Sequence, residues 1–421
     1  MTQAAVPDET AADEAVRAAG EAARSGAAAL RAARAATLDE ALRAIADRLA
    51  NRAAAVLAAN ADDVRAARAD GLAAAFVDRL TLDEGRVKGM ADQLLALAEI
   101  PAGPTRATVR DLPGGLELQE WRRPVGVIGA NFEARPNVVV DIASQLIKSR
   151  NAGVLRTGSS AIRSAAVLVD EVVGSAMTAA GLDAAAIQLL RVPGREVAFA
   201  LVRQPRLIPL AILRGSGDST RALAREAALH GVRTLAHADG GAVVYLDQAA
   251  DQQLALRLIE QSLDRLGVCN RLNLLLIHRA IWDETVPAVG ALADRLGIAV
   301  SMPPHRHPLG HEWALDAGAE ATITLAPADS AVDAAQLANR ETSGLAASIV
   351  TTDAAAASRF LETYAGTGAF WNATTRLLDG FKLLSVPETG INIDVVPGPR
   401  GPVTFRDLFL RQYVVLQKGA A

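Results

Sequence analysis

The sequence predicts an α/β protein with two doubly wound, parallel-stranded domains, and three observations carry that expectation. From Val125 onward, short apolar runs alternate with amphipathic stretches, the pattern of parallel strands joined by helical crossovers. A second series of the same kind follows Cys269. The chain's 421 residues are enough for roughly two to three domains, each with a core of its own.

The segment over residues 10–100 comes first and is alanine-rich with helical spacing. Leu42, Ile45, Leu49 and Leu57 recur on one helical face, and Thr81 followed by acidic residues marks a further helix start. Next, "TVRDLPGGLELQEWRRPVG" places two alternating stretches around Pro-Gly-Gly, a hairpin signal. In the first α/β series "VGVIG", "AGVLRT", "AIQLLRV", "LIPLAILRG" and "RTLAHA" read as strands, with helices over 160–180 and 218–230 between them. In the second, "LNLLLIH", "IAVSM", "ATITL" and "AASIVTT" are strands, with helices ending near Leu296 and over 330–340 and 354–364. The tail "GPVTFRDLFLRQYVVLQ" ends in a strand-like alternation that needs a pairing partner, another subunit among the candidates. Ligands of such sheets bind beyond the carboxyl ends of the strands, so a site between the two series is expected.

Composition narrows the function classes. A net charge of -4 gives no electrostatic case for nucleic acid or an anionic membrane. No apolar run approaches the ~20 residues needed to cross a bilayer, and "MTQAAVPDETAADEA" lacks the basic-then-apolar order of a signal peptide. The single cysteine excludes an internal disulfide and fits a reducing cytoplasm.

The sequence lacks G-x-G-x-x-G, G-x-x-x-x-G-K-[ST] and G-x-S-x-G. Two strand–loop–helix junctions stand out instead: Gly158, Ser159 and Ser160 after Arg156, and Gly215, Ser216 and Gly217 after Arg214. Each is either ordinary helix capping or a phosphate-binding helix start, and the repetition favours a dinucleotide. "HRHPLGHEW" offers His305, His307 and His311 as zinc ligands, but there is no obvious fourth ligand, and an exposed loop explains it equally. Glu133 and Arg135 are either charges capping the next helix or substrate-facing residues at a strand end. Cys269, between a helix and the strand "LNLLLIH", is either a small buried hydrophobe or a nucleophile with Arg265, Asn270 and Arg271 beside it.

Taken together, the blocks "VLAANADDVRAARADGL", "GLELQEWRRPVGVIG", "FEARPNVVVDIASQLIKSRNAGVLRTGS", "RLGVCNRLNLLLIH" and "WNATTRLLDGF" make the chain resemble, over nearly its whole length, the gamma-glutamyl phosphate reductases of the aldehyde dehydrogenase superfamily. The resemblance implies a cofactor domain with N-terminal helices over residues 1–245, including an oligomerisation hairpin at 105–123. A catalytic domain would follow over 246–385 and an oligomerisation tail over 386–421. It implies NADPH bound by Arg156, Gly158, Ser159, Gly215, Ser216 and Lys148, and Cys269 as nucleophile with Asn270 assisting. A small anionic substrate would be held by Glu133, Arg135, Asn137, Asn372 and Arg376. Glutamate 5-kinase and other copies of the chain are the implied partners. The family pattern is broken at Ser160 (an acid elsewhere), at Arg150 (glycine elsewhere), at Leu345–Ala347 (His and an acid elsewhere) and at Leu384–Pro387. The reaction the resemblance implies is reductive dephosphorylation of L-glutamyl 5-phosphate to L-glutamate 5-semialdehyde, a step of proline biosynthesis, through a thioacyl-enzyme on Cys269. The departures leave as alternatives a paralogue with a changed acyl group, or a non-catalytic homologue, which the retained Cys269 argues against.

Overall fold

A computed structural model describes residues 9–133, 135–215, 217–237, 240–316, 318–394 and 398–419. The chain opens with helices α1 (Glu9–Ala32), α2 (Ala35–Asn51), α3 (Ala53–Ala69), α4 (Ala74–Leu80) and α5 (Glu84–Glu99). Helix α2 buries Leu38, Ala41, Leu42, Ile45, Ala46 and Leu49, a three- and four-residue spacing that forms one apolar stripe. The helix breaks at Arg52, so Leu57 falls on α3. Thr81 does not start α5. It closes α4, its hydroxyl donating to Val77 O, while the Asp83 carboxylate caps α5 by accepting from the Arg86 N–H at 2.7 Å.

The hairpin pairs β1 (Arg106–Leu112) with β2 (Leu116–Pro124). The first α/β unit contains β3 (Val127–Phe132), α6 (Asn137–Lys148), β4 (Ala152–Thr157), β5 (Ile187–Leu189), β6 (Leu210–Arg214) and β7 (Arg233–His237). Its sheet is all parallel, in the order β5-β4-β3-β6-β7. Strand order reverses between β3 and β6, which opens the crevice where ligands bind in doubly wound sheets. The helix expected over 160–180 is present and carries a π-helical stretch at Leu168–Gly174.

The second unit has β8 (Ala242–Leu246), β9 (Leu272–His278), β10 (Ala299–Ser301), β11 (Thr322–Ala328), β12 (Ala346–Val350) and β13 (Gly368–Trp371). They form a parallel sheet in the order β10-β11-β9-β8-β12-β13. Alternate residues feed cores on its two faces: Val243, Tyr245, Leu274 and Leu276 on one, Val244, Leu246, Leu275 and Ile277 on the other. A parallel sheet covered on both sides requires such runs. The expected boundary after residue 245 falls inside β8, which pairs with β9 and β12. The second sheet therefore begins at Ala242.

The chain ends with β14 (Gly390–Asn392), β15 (Gly401–Val403) and β16 (Phe409–Gln417). The tail strand β16 pairs within its own chain, antiparallel to β2 from Phe409↔Pro124 to Gln417↔Leu116. The resulting three-stranded sheet β1-β2-β16 leaves Val109, Leu410, Tyr413 and Val415 exposed. Among the described residues, no helix is long and apolar enough to cross a membrane.

Candidate active site

Strand direction decides where the site lies. Glu133 follows β3, Thr157 ends β4 and Arg214 ends β6, all at the carboxyl edge of the first sheet. Cys269 precedes β9 and Gly240 precedes β8, at the amino edge of the second sheet. The carboxyl-end rule thus holds for the first unit only, and the second presents its opposite edge.

Several contacts close this junction. Arg135 Nη2 donates to Gly267 O at 3.4 Å, and Arg214 Nη1 donates to Thr389 O at 2.8 Å. The Glu133 N–H donates to Arg214 O at 3.1 Å, and the Glu133 carboxylate lies 4.0 Å from Arg79 Nη1. Asn137 Nδ2 donates to Asp141 Oδ2 at 3.0 Å at the start of α6. Burial pushes the Asp141 carboxyl up to about 6, against the pull of Arg214.

Cys269 is half-buried and free. Burial raises its thiol pKa, while the guanidinium groups of Arg135, Arg214 and Arg376 act to lower it and Glu312 adds to the rise. Arg135 is itself brought down to about 10, first by burial and then by Arg214 and Arg79. Three cations around one thiol favour its anion and any anion delivered to it. Burial lifts the Glu388 carboxyl to about 7, with Arg214 opposing and Asp379 and Cys269 adding. Its Oε2 accepts from the Gly380 N–H at 2.8 Å. A carboxyl held near neutrality can take up or release a proton at working pH.

The raised Glu388 value also makes a stability prediction. Between the ordinary carboxylate range and about pH 7 the folded chain keeps this proton and the unfolded chain does not, so the group increasingly destabilises the fold as pH rises through that window. Glu388→Gln keeps an acceptor for Gly380 and removes the charge. Its Tm should exceed that of wild type at pH 8 and match it at pH 4; a difference independent of pH would contradict this.

The nucleophile loop is locked from behind. Asn270 is 3% exposed. Its Nδ2 donates to Leu378 O at 2.9 Å, its Oδ1 accepts from Arg376 Nη1, and its carbonyl accepts from Thr375 Oγ1 at 2.8 Å. Arg376 Nε is held by Asp264 Oδ1 at 2.7 Å. The Asn270 amide, expected to assist the reaction, is buried and engaged at both ends. Among the described residues the Cys269 N–H has no backbone acceptor.

Two more residues stand elsewhere than expected. Helix α6 starts at the carboxyl end of β3 and runs back, so Lys148 at its far end lies away from the crevice. Its ammonium is fully buried, 2.5 Å from Asp39 Oδ1, and it belongs to the helical layer rather than to a cofactor site. The residues after Lys148 turn the chain from α6 into β4. Arg150 takes φ 62°, the left-handed helix end where the family's glycine fits without strain, and Asn151 Nδ2 donates to Leu408 O at 2.8 Å. Asn372 follows β13 at the carboxyl edge of the second sheet, opposite the cysteine. Its amide accepts from the Thr351 N–H and donates to Thr351 O, both at 3.0 Å, so it locks a turn rather than facing substrate.

The two loops expected to hold cofactor follow β4 and β6 at the carboxyl edge of the first sheet. Gly158 leads into a short helical turn with Ser159 exposed, and Gly215 lies against Glu133 and Thr220. Ser216 lies outside the described residues. Arg156, at the end of β4, donates to Asn131 Oδ1 at 3.2 Å and to Gly194 O at 3.1 Å. Beside it the buried Thr157 Oγ1 has no partner among the described residues. A cation, a small-residue turn and an unpaired hydroxyl at a strand end suit a phosphate-bearing nucleotide.

Sequence reasoning placed Arg214 with the dinucleotide loop, but the structure brings its charge to bear on Cys269. Glu388 and Glu312 were missed. The signal for Glu312 was in "HRHPLGHEW", where the histidines drew attention from the acid between His311 and Trp313. Those histidines pack as rings: His307 and His311 meet the Trp313 face edge-on at 4.8 and 4.7 Å. Among the described residues no group of three or more His, Cys, Asp or Glu is placed to hold a metal.

Known proteins fit this geometry. The sequence pattern of the aldehyde dehydrogenase family matches residues 1–306. Gamma-glutamyl phosphate reductase of Clavibacter michiganensis subsp. michiganensis (strain NCPPB 382) is 38% identical over 411 residues, covering 95% of this chain and 93% of that one. The chain belongs to the gamma-glutamyl phosphate reductase family, within the aldehyde dehydrogenases. The reductase of Anaeromyxobacter sp. (strain K) is 36% identical over 420 residues, covering 95% of each chain. The crystal structure of gamma-glutamyl phosphate reductase from Thermotoga maritima superposes with a TM-score of 0.86 at 25% identity, covering 96% of this chain and 99% of that one. Membership in this family makes the chain an oxidoreductase that works with a nicotinamide cofactor.

Proposed function

We propose that this protein reduces L-glutamyl 5-phosphate to L-glutamate 5-semialdehyde with NADPH, a step of proline biosynthesis, through a thioacyl-enzyme on Cys269. The observation that carries this reading is the single cysteine set among Arg135, Arg214 and Arg376. The thiolate attacks the acyl carbon, the C–S bond forms, and the C–O bond to phosphorus breaks with release of inorganic phosphate. Thiolate is nucleophilic near neutral pH, and a thioester accepts hydride readily. When bound, the nicotinamide supplies that hydride. The C–S electron pair then returns to sulfur, frees the aldehyde and restores the thiolate. The Cys269 N–H would steady the developing oxyanion. Arg135 and Arg214 hold the phosphate, since guanidinium groups match its oxygens in pairs.

Arg156, Gly158, Ser159 and Gly215 would hold the cofactor. The cation at Arg156 and the absence of an acid at Ser160 support NADPH over NADH. Glutamate 5-kinase chemistry supplies the acyl phosphate. The exposed apolar residues of the β1-β2-β16 sheet favour a homo-oligomer. A different or modified acyl phosphate is the second reading, favoured by Leu345–Ala347, which are apolar and buried where the family carries His and an acid.

The test is phosphate-dependent reduction of NADP with glutamate 5-semialdehyde. Saturable turnover is expected. No turnover with it, alongside turnover with another semialdehyde, would decide for the second reading.

A further inference from the structure

We infer that Glu312 is a positioning residue for the reaction at Cys269, fixing the backbone of the nucleophile loop through Gly240 and setting a negative charge against the three guanidinium groups. This rests on the reading of Cys269 as the nucleophile.

The contact begins with Gly240, whose N–H points between the two Glu312 carboxylate oxygens, 3.0 Å from each. Glycine keeps this approach open: a Cβ would come within 2.5 Å of Glu312 Oε1, displacing the carboxylate, and 3.0 Å of Cys269 Cα and O. The next residue completes the link, as the Gly241 N–H donates to Cys269 O at 2.8 Å. Ser343 Oγ donates to Gly240 O at 3.0 Å, so the turn is held from both sides. Asn270 grips the loop from one direction, and the Glu312–Gly240–Gly241 chain grips it from the other.

Glu312 is itself built into place. Asn273 Nδ2 donates to His311 O at 2.8 Å, and Asn273 Oδ1 accepts from the Trp313 N–H at 3.3 Å. Trp313 Nε1 donates to Thr324 Oγ1 at 2.9 Å, and His311 Nε2 lies 2.7 Å from Asp316 Oδ2. The stretch that invited a zinc reading is thus a brace whose output is one carboxylate.

The charged groups coupled to the thiol are Arg135, Arg214 and Arg376 on the positive side and Glu312 and Glu388 on the negative. A fixed carboxylate adds to burial in favouring the neutral thiol against the pull of the arginines, which leaves those cations for an incoming anion.

Because the chain has one cysteine, the pH profile of iodoacetamide alkylation reports Cys269 alone. On the full-length protein, Glu312→Gln keeps an acceptor for Gly240 and removes the charge, so the alkylation midpoint should fall by about half a unit to one unit. Glu312→Ala also removes the acceptor, and kcat should fall ~10- to 100-fold with KM within about threefold. Gln should restore most of that loss. An unmoved midpoint in Glu312→Gln, or a kcat for Glu312→Ala within about twofold of wild type, overturns the inference. If Glu312→Ala does not fold, the Gln midpoint decides alone. The alkylation arm needs no substrate, so it stands even where the substrate reading fails.

Discussion

Replacing Cys269 with Ser lowers kcat by at least ~10³-fold while leaving Tm and cofactor affinity near wild type. Serine keeps the volume but loses the sulfur nucleophile, and a hydroxyl among these cations remains protonated. Losing the nucleophile of a covalent mechanism removes nearly all of the rate beyond what binding alone provides. The site has no substitute, because the sequence contains no second cysteine. Steady-state kinetics on the Ser variant check this. Retained turnover within tenfold would mean that the acyl group never resides on sulfur.

The second large effect is expected at Arg214. Its guanidinium is fixed by Thr389 O, and its charge acts on Cys269, Glu388 and Asp141 together. On the proposed mechanism, Arg214→Met removes a phosphate-binding donor and a thiolate-stabilising cation at once. The expectation is a fall in kcat/KM of about 10²- to 10³-fold, with the alkylation midpoint of Cys269 rising. Lys at this position keeps charge but not the paired donor geometry, so it should recover the midpoint better than the rate. A Met variant with unchanged midpoint and kcat/KM within about threefold would place Arg214 outside the site.

Strand order and helix placement were legible because apolar period and turn chemistry are local properties. β8 was missed because "AVVYL" follows β7 so closely that no helix separates the two strands, and alternation was the signal being read. Cys269 was not legible from spacing, since a lone cysteine between helix and strand is as well explained by packing. Only the family blocks around it singled it out. Lys148 and Asn372 were misplaced for one reason: sequence proximity to a site block does not reveal which end of an element faces the crevice. Lys148 lies at the far end of α6, and Asn372 at the far end of β13. Arg214 lies 55 residues before Cys269 and Glu312 lies 43 after it, yet both act on its thiol, and nothing in the local pattern encodes such convergence.

The central claim, a thioacyl-enzyme on Cys269, is tested most directly in the oxidative direction. Enzyme mixed rapidly with glutamate 5-semialdehyde and NADP, without phosphate, should give a burst of one NADPH per active site and then stall. Adding phosphate should start steady turnover, and the Cys269→Ser variant should show no burst. A wild-type burst that is absent, or one that persists in the Ser variant, contradicts the account.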